Sequence, residues 1–302
     1  MNITILGCGF IGHHLANKLA QDKSNNIKCI IRRNLPKTYE FIRDNTNISI
    51  IQKNINDSQF YINNNQDVIV YLASESNART FRDLYTINPE LTKSMMYTPT
   101  EILGGLNYNS STKFIYFSSS MVYGEFNDTT PSETSPTNPI EPYGINKLAS
   151  EQIIRYYCKR MNIPYTIVRP SAVYGPNDEK YRVIEKFMSR ALSGYRLNIY
   201  GDQILDFTYI EDLINGIELI IKKPKESYNQ TFNMTSGNPT WLLDAAHEIV
   251  KNAGAGSINI EEKDDLYPTR GGLDISKAKK ILGYNPIYDI KSGIKRCFEL
   301  RQ

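Results

Sequence analysis

The chain opens with Met1-Asn2-Ile3-Thr4-Ile5-Leu6 and runs directly into Gly7-Cys8-Gly9-Phe10-Ile11-Gly12. The first six residues are a short apolar run of the kind that forms a buried strand, and residues 13–20 have a helical pattern. A glycine-rich turn between a strand and a helix is typical of dinucleotide binding, because exposed N–H groups at the helix start hold phosphates. In that role Gly7 permits the tight turn, Gly9 admits the pyrophosphate to the backbone, and Gly12 lets the helix pack on the strand.

Further apolar runs with strand character follow along the chain. Helical patterns separate most of them, which predicts an α/β fold with a doubly wound parallel sheet of the Rossmann type. Ligands of such sheets bind beyond the carboxyl ends of the strands, so the residues that follow these runs are expected to meet in one crevice. The predicted strands are Ile3–Leu6, Ile27–Ile31, Ile48–Ile51, Val68–Leu72, Phe114–Phe117 and Tyr165–Val168.

A second polar stretch, Ser118 to Gly124, follows the apolar run 113–117, and Tyr143 and Lys147 lie a short way beyond it. Tyr143 and Lys147 are four residues apart, at the start of a helical pattern over 145–159, so they share one face of the helix. A neighbouring ammonium ion favours the phenolate, and we therefore expect Lys147 to lower the pKa of Tyr143. Such a phenol can take a proton from a sugar or alcohol hydroxyl and return it later.

The composition argues against several classes of protein. A formal net charge of +3 without a basic block gives no support to nucleic-acid binding, and no apolar run approaches the length of a membrane span. The strand at residues 1–6 leaves no room for a signal peptide. The four cysteines have no spacing typical of a metal site or a disulfide framework. We therefore expect a cytoplasmic protein without a metal.

Together these motifs resemble the extended short-chain dehydrogenase/reductase family, in particular its nucleotide-sugar epimerase/dehydratase branch. The resemblance covers nearly the whole chain and implies a Rossmann-type domain over residues 1–168 and a smaller C-terminal α/β substrate lobe over 169–302. A segment near 206–235 is implied to pack back on the first domain. The landmarks are Gly9–Gly12, Tyr71–Ser74, Ser118–Gly124, Tyr143 with Lys147, Arg169–Pro176, Asp206–Asp212 and Asp274–Ala278.

The resemblance also assigns roles to single positions. It implies that Tyr143 is the acid/base, that Lys147 holds the nicotinamide ribose, and that Ser119, four residues before Tyr123, shares the substrate hydroxyl. The implied cofactor contacts are Gly7, Gly9, Phe10, Ile11, Gly12, Asn54, Ile55, Leu72, Ala73, Ser74, Asn88, Tyr143, Lys147, Ser171 and Val173. The implied substrate contacts are Ser119, Ser120, Met121, Tyr143, Ala172 and Arg270. Two of these positions have a simpler interpretation, since Asn54 could be a loop residue and Asn88 a helix cap.

The end of the second predicted strand bears on the choice of cofactor. An acidic residue usually binds the free ribose 2′-hydroxyl of NAD at this place, but here the chain has Arg32 and Arg33. Two cations suit a 2′-phosphate, so NADP is slightly favoured over NAD. The alternative is that both arginines are solvated loop charges.

The two positions after Ser119 bear on the reaction. Dehydratases that resemble this chain carry Asp-Glu there, whereas this sequence has Ser120 and Met121, and neither is a strong acid or base. Elimination of water is therefore disfavoured. Epimerisation and net reduction of a 4-keto-sugar by NADPH both remain. We favour the epimerase, acting at C4, because the Ser119-Ser120-Met121 sequence resembles that of 4-epimerases. A regulator that binds a dinucleotide without catalysis is a third interpretation, against which the intact Ser119, Tyr143 and Lys147 argue.

The C-terminal half is implied to bind a nucleotide diphosphate sugar, in a context of polysaccharide biosynthesis. The arginine that commonly meets the diphosphate, directly before Asp206, is Leu205 in this chain, whereas Arg270 matches a second phosphate-facing arginine. The family usually forms a homodimer by packing two helices per subunit. Segments 88–103 and 147–161 could supply them, although Pro99 is expected to interrupt the first.

Overall fold

The computed structural model describes residues 1–32, 45–55, 65–74, 89–126, 130–262 and 268–301, except for the side chains of residues 90 and 91. The described strands are β1 (Asn2–Leu6), β2 (Asn26–Ile31), β3 (Ile48–Gln52), β4 (Val68–Tyr71), β5 (Lys113–Phe117), β6 (Tyr165–Arg169), β7 (Ala172–Tyr174), β8 (Arg196–Tyr200), β9 (Ile204–Tyr209), β10 (Gln230–Asn233), β11 (Pro239–Trp241) and β12 (Ser257–Glu261).

The described helices are α1 (Phe10–Leu19), α2 (Pro89–Thr92), α3 (Thr98–Gly104), α4 (Pro142–Met161), α5 (Val183–Leu192), α6 (Ile210–Lys222), α7 (Pro224–Ser227), α8 (Leu242–Ala253), α9 (Ser276–Leu282) and α10 (Ile290–Glu299). A π-helical turn, Lys93–Tyr97, joins α2 to α3, and a 3-10 turn, Ser120–Tyr123, follows β5. None of the helices in the described ranges is both long and apolar enough to cross a membrane.

A sheet of seven parallel strands forms the centre, in the order β10-β6-β5-β4-β1-β2-β3. The chain builds outward from β1 to β3 on one side and then crosses to β4 on the other. The strand order therefore reverses between β1 and β4, and the carboxyl ends at such a reversal border a crevice. The six strands predicted from the sequence are all present in this sheet, which confirms the predicted fold class.

Apolar side chains cover both faces of this sheet. On β1, Ile3 and Ile5 belong to one hydrophobic cluster, whereas Ile69 and Tyr71 of β4 belong to a second cluster on the other face. Burial on both faces is typical of parallel strands and explains why they appear in the sequence as continuous apolar runs.

The C-terminal half contributes to the central sheet and forms smaller sheets of its own. Strand β10 pairs with β6, and helix α6 approaches α1, where Lys18 and Glu218 lie 3.7 Å apart. Strands β7, β9 and β11 form a three-stranded sheet, and β8 pairs with β12. The division of the chain at residue 168 stays a prediction.

Two helical segments test the sequence-based expectation. Helix α4 begins at Pro142, three residues earlier than the predicted pattern, because Pro142 is tolerated in a first helical turn and Glu141 caps it. The helical run over residues 89–104 is not one continuous α-helix, so the expected interruption is present, although the run continues past Pro99. The wider turn Lys93–Tyr97 comes directly before it, and Pro99 lies in the first turn of α3, where its missing N–H costs no hydrogen bond.

Candidate active site

The turn between β1 and α1 is packed on two sides and open on a third. Gly7 has φ of +89°, which favours glycine, and a Cβ there would lie 2.6 Å from Cα of Ala73. A Cβ on Gly12 would lie 2.8 Å from the carbonyl oxygen of Gly7. A Cβ on Gly9, in contrast, would meet nothing within 4 Å. The open space before Gly9, at the N-terminus of α1, fits the phosphates of a dinucleotide.

The end of β4 borders the same turn. The backbone N–H of Leu72 donates to the carbonyl oxygen of Leu6 at 2.8 Å, and its side chain faces Gly12. The hydroxyl of Ser74 is buried and lies near the phenol of Tyr143, whose pKa it lowers. The structure therefore brings Leu72, Ala73 and Ser74 to the glycine-rich turn, as the sequence predicts.

The remaining predicted cofactor residues lie at the ends of β2 and β3. Arg32 follows β2 directly and is exposed, whereas Asn54 and Ile55 follow β3 and are half-buried. Because β2 and β3 pair in parallel, these residues occupy the same edge of the sheet as the turn. Arg33 and Asn88 lie outside the described residues.

Helix α4 places Tyr143 and Lys147 beside the end of β5. The Glu141 carboxylate accepts hydrogen bonds from the backbone N–H groups of Tyr143 at 2.7 Å and Gly144 at 2.8 Å, which fixes the first turn of the helix. Lys147 is buried, and its Nζ donates to the carbonyl oxygen of Phe117 at 2.7 Å. The same Nζ lies 5.6 Å from the centre of the Tyr143 ring. The predicted acid/base and its cation are therefore neighbours at the crevice.

The serine-rich turn after β5 packs against the start of this helix. Ser119 Oγ accepts a hydrogen bond from the N–H of Met121 at 3.2 Å, and its own hydroxyl hydrogen stays available to another acceptor. A Cβ on Gly144 would lie 2.6 Å from the carbonyl oxygen of Met121, so the two turns touch. Ser120 is buried and lies 3.5 Å from the hydroxyl of Ser171, which follows β6. Residues from three separate stretches thus meet at one edge.

The protonation of the central pair differs from the sequence-based expectation. Burial raises the pKa of Tyr143 to about 12, although the positive charge of Arg182 opposes the rise. Burial also lowers the pKa of Lys147 to about 7, against the opposing pull of Glu151. Lys147 is then only partly charged at neutral pH. Its charge therefore does not offset the rise in the pKa of Tyr143 that burial causes. The expectation that Tyr143 has a pKa below its ordinary value is wrong for this structure.

A buried polar network, which the sequence analysis missed, supports the helix from behind. Glu151, one turn after Lys147, is fully buried and accepts hydrogen bonds from Arg169 at 2.8 Å and 2.6 Å. Arg169 also donates to the phenol of Tyr123 at 2.9 Å, and that phenol donates to Asn233 on β10 at 2.7 Å. The network joins α4 to β6, the serine-rich turn and β10. Its one sequence signal is the four-residue spacing of Glu151 from Lys147.

Arg182 is a second residue that the motifs did not reveal. It directly precedes α5, and its guanidinium donates to the carbonyl oxygen of Val173 at 2.9 Å. The guanidinium also lies 5.9 Å from the centre of the Phe10 ring in the glycine-rich turn, and its Nε lies 3.5 Å from the carboxylate of Asp178. Arg182 therefore stands between the predicted cofactor turn and Tyr143, whose pKa its charge lowers.

The predicted substrate residues of the C-terminal half are more dispersed. Ala172 begins β7 and is half-buried, beside the carbonyl that Arg182 holds. Arg270 donates to the carbonyl oxygen of Gly124 at 3.3 Å, and its guanidinium lies 5.6 Å from the ring centre of Phe126. Arg270 is thus next to the serine-rich turn. Leu205, where the resemblance expects an arginine, packs against the hydrophobic core.

Comparison with known proteins finds relatives along nearly the whole chain. An uncharacterized UDP-glucose epimerase of Bacillus subtilis is 28% identical over 97% of this chain and 96% of its own. A dTDP-D-glucose 4,6-dehydratase of Bos taurus is 29% identical over 97% of this chain and 86% of its own. The crystal structure of UDP-glucuronic acid 4-epimerase from Bacillus cereus, in complex with UDP-glucuronic acid and NAD, has a TM-score of 0.87 and 25% identity, over 99% of this chain and 98% of that one.

The profile of the NAD dependent epimerase/dehydratase family matches residues 3–235. That span runs from β1 to β10 and includes every strand of the central sheet as well as the crevice at its edge. Because the match extends over most of its length, this chain belongs to the NAD dependent epimerase/dehydratase family.

Proposed function

We propose that this protein is an NAD(P)-dependent nucleotide-sugar epimerase that transiently oxidises the C4 hydroxyl and returns the hydride to the opposite face of the sugar. The observation that carries the proposal is the meeting of Ser119, Tyr143 and Lys147 at the crevice that begins before Gly9. A similar solved structure is a 4-epimerase bound to UDP-glucuronic acid and NAD, which supports the same reaction and substrate class here.

The chemistry of the chain's own residues follows from their contacts. A bound nicotinamide would supply hydride acceptance and return at the reacting carbon. Tyr143 takes the proton of the sugar hydroxyl and later gives it back, and Ser119 donates a hydrogen bond to the same oxygen. With a resting pKa of about 12, Tyr143 starts protonated, so its ionised form depends on nearby positive charge from Lys147 and Arg182.

Dehydratases are also among the similar proteins, and the serine-rich turn argues against that reaction. Elimination needs an acid and a base beside the sugar, and Ser120 and Met121 occupy the two positions where the resemblance expects them. Ser120 is also turned inward toward Ser171. The alternative that we keep is an NADPH-dependent reductase of a nucleotide-4-keto-sugar, because exposed Arg32 follows β2 at the place that contacts the ribose.

The cofactor that the purified protein binds distinguishes the epimerase from the reductase. Retention of NAD through purification supports the epimerase, and a site that fills only with NADPH supports the reductase. The Arg32→Ala variant tests the charge itself. If Arg32 recognises a 2′-phosphate, the variant loses affinity for NADPH relative to NADH, and an unchanged ratio of the two dissociation constants removes the argument for NADP.

The decisive variant is Tyr143→Phe, which keeps the ring and removes the proton that the reaction moves. We expect turnover of UDP-glucose or UDP-glucuronic acid to fall by about 100- to 10,000-fold, with NAD binding and melting temperature unchanged. Tyr157→Phe is the matched control, because Tyr157 lies on the same helix and is part-exposed. Wild-type turnover in Tyr143→Phe would overturn the catalytic assignment.

We also propose a homodimer through the helical run 89–104 and α4. Ile145 and Tyr156 are eleven residues apart and so share one face of α4, where 52% and 64% of their surfaces are exposed. Tyr97, 67% exposed, supplies a third apolar contact from the other helical segment. Light scattering should give twice the monomer mass, and a Tyr156→Glu variant should shift it toward the monomer. A monomeric wild type would refute the assembly.

A further inference from the structure

Tyr116 of β5 lies beside the buried lysine of the proposed site, and the proposed proton transfer gives it no role. Its side chain is fully buried. Nζ of Lys147 lies over the Tyr116 ring, 5.1 Å from the ring centre, whereas it lies 5.6 Å from the centre of the Tyr143 ring. A cation within about 6 Å of a ring centre is attracted by the negative potential of the aromatic face.

The charged form of Lys147 is costly at this place. Burial lowers the pKa of Lys147 to about 7, because water stabilises the ammonium ion here much less than it does at the surface. The carbonyl oxygen of Phe117 accepts a hydrogen bond from one of its three N–H groups, at 2.7 Å. An aromatic face can offset part of the remaining cost, because the attraction between a cation and a ring is largest where water is excluded.

The titratable groups that face Lys147 within the described part of the chain lie on α4, β5 and β6. Glu151 of α4 favours the charged lysine, but its carboxylate is bound by Arg169 of β6, whose positive charge has the opposite effect. Tyr143 of α4 and Tyr116 of β5 are neutral phenols, because burial raises the pKa of each. Tyr116 therefore acts on Lys147 through its ring face and not through a charge.

Contacts with the π-helical turn and with β4 hold the Tyr116 ring in place. The Tyr116 hydroxyl lies 3.5 Å from the carbonyl oxygen of Met95 in that turn, and Ser150 of α4 donates to the same carbonyl oxygen at 2.8 Å. The ring of Tyr71 on β4 stacks on the Tyr116 ring, with the two ring centres 5.9 Å apart. The Tyr116 ring thus has a fixed position relative to Lys147, and π-helical turns are frequent at functional sites.

We propose that Tyr116 is a positioning residue for the proposed reaction, and that its ring face holds the charged form of Lys147 beside Tyr143. The proposal rests on the function proposed above, in which positive charge from Lys147 helps Tyr143 to ionise. Tyr116 acts through Lys147 and not through contact with the sugar. A ring that attracts the cation less strongly lets Lys147 lose its proton at a lower pH, and Tyr143 then loses the charge that helps it to ionise.

Two substitutions of nearly the same shape separate the potential of the ring from its size. Tyr116→Phe keeps the ring face and removes the phenol, whereas a ring-fluorinated phenylalanine at position 116 also loses the negative potential, because fluorine withdraws electrons from the face. NMR titration of the full-length protein with ¹³C-labelled lysine side chains follows the protonation of Lys147, whose signal is the one that Lys147→Met lacks. The fluorinated ring should lower the pKa of Lys147 by about 0.5 to 1 pH unit relative to Tyr116→Phe.

The same fluorinated residue in place of Tyr157 is the control, because Tyr157 is a part-exposed residue of α4. This control should leave the pKa of Lys147 at its wild-type value. The melting temperatures of the two variants at position 116 should agree with each other. Equal pKa values of Lys147 in these two variants would overturn the assignment of Tyr116.

The pH dependence of turnover tests the link to the reaction. With UDP-glucose or UDP-glucuronic acid, kcat should fall as Lys147 loses its proton, and the fluorinated ring should move this fall to a lower pH by the same amount as in the titration. If the pKa of Lys147 shifts while kcat keeps the pH dependence of Tyr116→Phe, the positioning role is overturned and the proposed epimerase stands. If the wild type turns over neither nucleotide sugar, the proposed function fails, whereas the lysine titration still decides whether the ring holds the charge.

Discussion

The buried ion pair behind the active site allows a quantitative test of how the catalytic helix is held. Arg169 is 3% exposed and makes two hydrogen bonds to Glu151, which is fully buried on α4. Arg169→Met removes the guanidinium but keeps an apolar stem of similar length. Glu151 then retains Arg155 at 3.0 Å, a partner whose side chain is about one-third exposed.

The cost of this substitution follows from the charge left behind. Removal of one partner of a buried ion pair costs about 3–5 kcal/mol, and the remaining Arg155 places this protein near the lower end, at about 3 kcal/mol. For a chain of 302 residues, with an unfolding entropy of about 2.1 cal/mol/K per residue, that loss corresponds to a fall in melting temperature of about 5 °C. The double variant Glu151→Leu/Arg169→Met has no buried charge and should recover most of the loss.

Urea unfolding at several pH values measures the stability lost in the single variant and the stability recovered in the double variant. In the wild type, burial alone would raise the pKa of Glu151, but its bonds to Arg169 hold the pKa below the ordinary value. Without Arg169 the carboxyl can take up a proton, so the deficit of the single variant should shrink as the pH falls from 8 to 5. A single-variant loss below about 1 kcal/mol, or a double variant no more stable than the single, would refute the reasoning.

Three further predictions address the turn, the helix cap and the buried lysine. Gly9→Ala should abolish NAD binding without changing the melting temperature. Gly7→Ala should lower both NAD affinity and melting temperature, because only the Cβ on Gly7 would collide with Ala73. Equal melting temperatures for the two variants would contradict this reasoning. Glu141→Ala should cost about 1–2 kcal/mol in urea unfolding and lower kcat more than it raises KM, and Glu141→Gln should restore part of both. Burial lowers the pKa of Lys113 to about 7, below the ordinary 10.5, so the unfolded chain binds more protons and stability rises with pH between these values. Lys113→Met should remove about 1–2 kcal/mol of that rise between pH 7.5 and 9 in the same urea assay, and a pH dependence identical to wild type would contradict it.

The sequence was most informative where one residue type has one physical use. Apolar runs of strand length predicted all six strands correctly, because parallel strands buried on both faces must be apolar throughout. Gly7, Gly9 and Gly12 could be assigned separate roles, because the tight turn and the packed helix exclude a side chain at Gly7 and Gly12, whereas the space at Gly9 is open. The four-residue spacing of Tyr143 and Lys147 likewise placed them on one helical face.

Tertiary structure decided the features that depend on which distant segments meet. Nothing in the linear order indicates that Arg169 of β6 neutralises Glu151 of α4, or that Asn233 reaches the phenol of Tyr123. The pKa of Tyr143 also belongs to this group, since burial is a property of the packed chain and here raises the pKa to about 12, although the predicted neighbour Lys147 lies close by. Local periodicity thus determined the elements and the residues at their ends, whereas the electrostatics of the site arose only when the fold removed those residues from water.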